Sequence, residues 1–150
     1  MTSIKIQRLT RKLLSCMLLS LLSSATIVQG AEVDTVVVNP NVNEQAISKN
    51  ALRVIFGMRL QTWPDGMPIK VFVLPDDNPA HNDFSKEILN VFPYQLRAAW
   101  DRLTFSGTGQ APIEVRTEEE MLTKIATTPG AIGYLRGAMV NDHVHVLQIK

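Results

Sequence analysis

Short apolar runs alternate along this chain with stretches whose apolar residues recur at helical spacing, and that alternation limits its fold more than any other feature. Residues 33–38 are a β-branched run closed by Asn39-Pro40-Asn41, and residues 69–74 are a second, stopped by Pro75-Asp76-Asp77-Asn78-Pro79. Residues 113–115, 131–135 and 144–149 are three more. Runs of this length bounded by turn residues read as buried strands. Between them, Ile47, Ala51, Val54, Ile55 and Met58 make one helical stripe, and Phe84, Ile88, Val91 and Phe92 make another. Leu96, Ala99, Trp100 and Leu103 form a third, and Met121, Leu122 and Ile125 a fourth.

Local signals set the helix starts. Asn43 or Ser48 caps the first helix, and Asn82 or Asp83 the second. Pro93 opens the third, where a missing N–H costs nothing. Thr117 with Glu120 three residues on is a capping box for the fourth, which Pro129-Gly130 ends. Strands joined through helical crossovers call for a mostly parallel sheet covered on both faces, so the expected fold is a three-layer α/β sandwich. Residues 31–150 show neither a linker nor a second core and read as one domain.

Residues 1–30 have the layout of a secretory signal. Lys5, Arg8, Arg11 and Lys12 form a basic start, residues 13–28 are uncharged and rich in leucine, and Val28-Gln29-Gly30 offers a cleavage site before Ala31. The apolar stretch is short for a membrane span of ~20 residues and is interrupted by four serines. Cleavage after Gly30 predicts a periplasmic protein with no membrane span. Cys16, the only cysteine, falls inside the signal. It lies too early for a lipoprotein box, so the remainder relies on its core rather than on disulfides or thiolate chemistry. The signal holds four of the fifteen basic residues and no acid, leaving eleven bases against fourteen acids, a formal charge of −3. Such a balance excludes the basic groove that nucleic acid needs.

Patterns for enzyme chemistry do not hold up. His143 and His145 alternate on a strand and, with His81 or Asp142, suggest a metal site, but no third ligand has the spacing that would fix one, and no metal or cofactor is expected. Asp76, Asp77 and Asp83 fall in a strand-to-helix connection, where aspartate serves as turn residue and cap. Ser106-Gly107-Thr108-Gly109 follows a helix and precedes a strand, the reverse of a phosphate cradle. A Gly-x-Ser-x-Gly elbow is absent. Trp100 sits on a buried stripe, and Trp63 is the more open candidate for a ligand platform. A non-enzymatic protein is expected.

Ile55-Phe56-Gly57 followed by Trp63-Pro64-Asp65-Gly66, and later Pro129-Gly130-Ala131-Ile132-Gly133-Tyr134, resemble segments of the phosphate-type periplasmic substrate-binding proteins of ABC transporters. Phe84 to Leu89, Trp100 and Phe105-x-Gly107 match the spacing of short single-lobe relatives, and the resemblance spans most of residues 33–147. It implies one lobe of a type 2 periplasmic binding protein, the second lobe, with residues 33–38 and 131–135 as hinge-like strands. It also implies a role in phosphate transport. Phosphate-binding members place an arginine and a Ser-Gly-Thr loop after the strand resembling residues 69–74. Here that stretch reads Leu74-Pro75-Asp76-Asp77-Asn78-Pro79-Ala80-His81-Asn82, with no arginine, no hydroxyl and two acids that repel a dianion. The fold and compartment therefore carry over, and the phosphate contacts do not.

Ligand walls in α/β folds form at the carboxyl ends of strands. That rule selects Asp77, Asn78, His81 and Asn82 after the second strand, and Asn41 and Asn43 after the first. Two readings follow: an exported binding protein for a small anion or other small solute, and an envelope interaction module that kept the fold, lost the ligand and binds another protein or a second copy of itself.

Overall fold

The computed structural model describes residues 34–150, so the signal sequence lies outside the described residues. Among the described residues there are seven strands: β1 (Asp34–Val38), β2 (Ala46–Ile47), β3 (Lys70–Val73), β4 (Ile113–Glu114), β5 (Ala131–Arg136), β6 (His145–Val146) and β7 (Gln148–Ile149). The helices are α1 (Lys49–Phe56), α2 (Pro79–Asp83), which runs into a π-helical turn (Phe84–Ile88), α3 (Pro93–Phe105) and α4 (Glu118–Thr127). The central sheet has the order β4-β3-β5-β1-β6.

Direction within this sheet is mixed, though mostly parallel. β4 and β5 run parallel to β3, whereas β1 is antiparallel to both β5 and β6, so four strands share a direction and β1 opposes them. The run at residues 144–149 is two strands rather than one. β6 closes the sheet against β1, and β7 leaves it to pair with β2 in a separate parallel ribbon.

β1, β3 and β5 are buried along nearly their whole length, as strands covered on both faces must be. One face belongs to α4, where Gly133 leaves room for Met121 and Ile125. The other holds an aromatic core: Tyr134 stacks on Phe84, with centroids 4.0 Å apart, and Phe56 meets Phe84 edge-on. Helices on both sides of the sheet make the three layers. Each large side chain buried there contributes roughly 1.5–3 kcal/mol. Trp100 donates its indole N–H to the Phe56 carbonyl at the end of α1. Trp63 is also core: it is buried and bonds the Gly130 carbonyl at 3.0 Å, so it is not an exposed platform.

Several local signals act as expected. Ser48 caps α1 and Thr117 caps α4, although Glu120 reaches back to the Arg116 N–H rather than to the cap itself. The second helix differs. It begins at Pro79 with Asn78 as cap, a turn before Asn82 and Asp83, because the proline that looked like a strand stop is a first-turn proline. Its π-turn ends at Ile88; Arg53 holds the carbonyl of the capping Leu89 at 2.6 Å, and Asn90 follows with a φ of 54°. Two stripe residues, Val54 and Phe92, are exposed, while Leu52 and Phe56 take the buried places on α1.

Candidate functional site

β3, β4 and β5 all end on one side of the sheet, and the connections leaving them form its best wall for a ligand. β1 begins on that side, since Asp34 stands opposite Arg136. The direction of β1 therefore corrects the placement of Asn41 and Asn43. The end of β1 lies beside the start of β5, with Val38 opposite Ile132, so these two asparagines fall at the far end of the sheet. Asn43 there reaches Asp65 at 3.3 Å, and neighbouring Asn39 is buried and ties β1 to the carbonyls of Ile125 and Ala126.

After β3, Asp76 is gripped by Arg97 through two bonds of 2.9 and 2.8 Å. Arg97 also holds Glu114 at 3.0 Å and lies over the Trp100 ring, 5.1 Å from its centroid. The bonds from Arg97 hold the Asp76 carboxyl below the ordinary carboxylate range, and the bond to Asp76 raises the guanidinium. This arginine comes from the early turns of α3, so that end of α3, with the stacked and exposed Phe92 and Tyr94, borders the same wall.

His81 is fully buried and does not face the wall as an open donor. The Tyr134 hydroxyl accepts from the Leu74 N–H at 2.9 Å and lies 2.5 Å from Nδ1 of His81. The imidazole tautomer sets which of these two atoms donates in the bond between them. Nε2 points toward Asp76 at 3.7 Å, beyond hydrogen-bond reach. Burial pushes the His81 pKa down rather than up, and burial also raises the Tyr134 hydroxyl. The pair is therefore a neutral core contact that fixes the end of β3 against α2. It is not a proton donor for a ligand near pH 6.5.

Of the other candidates, Asn78 spends its side chain on the Ala80 N–H at 2.9 Å, Asp77 is exposed and Asn82 is half-buried. The wall thus brings Asp77, Asn78, His81 and Asn82 together, with Asn78 and His81 already committed inside the fold. His143 and His145 lie toward the start of β6, where His145 stands opposite Val38, at the other end of the sheet from His81. His143 occupies a turn, so the two do not alternate along one strand. Among the described residues no three His, Cys, Asp or Glu side chains gather to hold a metal ion.

Sequence reasoning missed Arg97, Glu118, Arg136 and Asp34. Glu118, buried in the first turn of α4, accepts from the Arg136 backbone N–H at 2.8 Å and from its Nε at 2.7 Å, and also pairs with Nη2. Asp34 is 6% exposed, and neither of its carboxylate oxygens has a hydrogen-bond partner. Burial first, then the nearby charges of Asp83, Glu118 and Glu87, raise it to about 7, against a lowering by Arg136. An acid at the mouth of a buried strand was the available signal. The wall is therefore rich in carboxylates, and its two arginines are engaged by acids of this same chain.

No family model and no curated protein matches the sequence. Solved structures do. A putative phosphate ABC transporter substrate-binding protein with bound phosphate from Clostridium perfringens superposes with a TM-score of 0.62 at 15% identity, over 77% of this chain and 44% of that one. PstS from Borrelia burgdorferi gives 0.61 at 17% identity, over 79% and 47%. An ABC-type phosphate transport receptor from Vibrio cholerae gives 0.53 at 13% identity, over 77% and 45%. The chain has the fold of these substrate-binding proteins and spans somewhat under half the length of each.

Proposed function

We propose that this chain is an exported, non-enzymatic binding protein whose strand-end wall has exchanged capture of free phosphate for another ligand or partner. Residues 1–30 serve as the signal and residues 31–150 as one periplasmic domain. The observation that carries the reading is the Arg97 lock. Its guanidinium is divided between Asp76 and Glu114, while Asp77 stands exposed beside it. A dianion at this wall would meet carboxylates first and would have to compete with three charge-assisted bonds to reach the Arg97 guanidinium. The buried His81–Tyr134 contact supports a binding role over catalysis, because neither group presents a proton to the surface.

A second reading, uptake of phosphate itself, is favoured by the phosphate receptors and the phosphate-bound protein among the similar structures. The exposed Phe92–Tyr94 pair favours an envelope protein or a second copy as the partner under the first reading. Thermal unfolding with and without millimolar phosphate, run beside light scattering on the eluted protein, separates these. The first reading expects no phosphate-induced shift. A saturable upward shift in a strict monomer supports phosphate uptake instead.

A further inference from the structure

We propose that a cavity at the start of β3, at the opposite end of that strand from the wall, binds a small organic monocarboxylate. β4 pairs with β3 only from Phe72, which stands opposite Ile113. Pro112 comes just before and has no N–H to extend the ladder, so no strand lies beside the outer edge of Lys70 and Val71. A cavity of about 380 Å³ occupies this gap, lined by residues 68–71 and 108–113 together with Met58 and Gln61. It shares no residue with the wall.

The lining supplies donors and a positive charge. Lys70 turns its backbone N–H to the β5 side, giving it to the Gly130 carbonyl at 3.1 Å, so the Val71 N–H points to the open edge. There it meets no acceptor among the described residues, and a carboxylate oxygen would satisfy it. Lys70 is exposed, and its ammonium pairs with no acid among the described residues. The lining itself contains no carboxylate, the reverse of the wall. Gln110 adds a carboxamide that bonds no other described residue. The neighbouring glycine loop takes no part in this, because the N–H groups of Gly107, Thr108 and Gly109 are spent on the Thr104 and Leu103 carbonyls that end α3. Much of the rest of the lining is apolar: Met58, Ile69, Ala111, Pro112 and Ile113. A hydrocarbon body gains from that surface where inorganic phosphate cannot, and one free cation matches one negative charge.

The test is an amide-detected NMR titration of the nitrogen-labelled protein at neutral pH with butyrate, butyramide and inorganic phosphate, at matched ionic strength. Butyrate should move the Val71 and Gln110 amide signals saturably, with a Kd of about 1 mM for so small a ligand. Butyramide keeps the apolar body without the charge and should bind about tenfold more weakly or worse. Phosphate has the charge without the body and should leave both signals in place. Lys70→Met should weaken butyrate binding about tenfold. Should that variant fold poorly, the comparison of the three probes on the wild type stands as the independent readout. Butyrate that fails to move these two signals, butyramide or phosphate that binds there as well as butyrate, or a butyrate affinity that Lys70→Met leaves unchanged overturns the proposal.

Discussion

The hydroxyl of Tyr134 on β5 ties the end of β3 to the helix α2 that follows it, accepting from the Leu74 N–H and lying 2.5 Å from Nδ1 of His81. It sits among the rings of Phe84, Phe56 and His81 and holds the strand-end connection in place.

Tyr134→Phe keeps the stacking on Phe84 and removes the hydroxyl alone. The Leu74 N–H and His81 Nδ1 are then buried without partners, at about 1–3 kcal/mol each. Chemical denaturation should show a loss of about 2–4 kcal/mol with an unchanged m-value. A loss within experimental error would mean that the contact is not what holds the connection.

Gly130 has φ near +74°, and a Cβ there would stand 2.1 Å from the Pro68 carbonyl oxygen. Gly130→Ala therefore meets both an unfavourable backbone conformation and rigid backbone, and should cost about 2 kcal/mol or more by thermal or denaturant unfolding. Gly133→Ala meets only the flexible ends of Ile125 and Met121, so it should cost less.

Stability should fall between about pH 4 and pH 7 through Asp34. Its carboxyl is raised to about 7 in the folded protein, so the folded state keeps a proton that the unfolded chain has already released. The contribution is present below the ordinary carboxylate range and is lost as pH rises to the folded value. Asp34→Asn should flatten this slope and raise stability at pH 8 by about 1–3 kcal/mol. Denaturation midpoints of both proteins at pH 5 and pH 8 provide the check.

Arg97→Lys keeps the charge but loses the fork that serves Asp76 and Glu114 together. Because the groups are part-exposed, the cost should stay near 1 kcal/mol. The Asp76 carboxyl, held low by Arg97, contributes stability above the ordinary carboxylate range and loses it as pH falls through its lowered value. In the variant that acid loss should begin at a higher pH, as a carbon-detected NMR titration of Asp76 would show.

What was legible in the sequence were features fixed by neighbours along the chain. Pro93 at the start of α3, Thr117 as the cap of α4, Gly130 after it and the β-branched runs all depend on local backbone preferences. The direction of β1 is not such a feature. It depends on pairing with β5 and β6 a hundred residues away, and misreading it placed Asn41 and Asn43 at the wrong end. The start of α2 was misplaced because Pro79 suits both a strand stop and a helix opening. The site's arginines were hidden for a related reason: Arg97 and Arg136 look like ordinary surface charges until folding sets each beside an acid distant in sequence. Tyr134 and Asp34 did leave a trace, as polar groups inside apolar runs.

Isothermal titration of the wild-type protein with inorganic phosphate, at physiological salt and neutral pH, tests the central claim most directly. With Arg97 engaged by Asp76 and Glu114, no saturable heat should appear up to millimolar phosphate. A one-to-one isotherm with submicromolar affinity would contradict the account and show that this wall still grips the dianion.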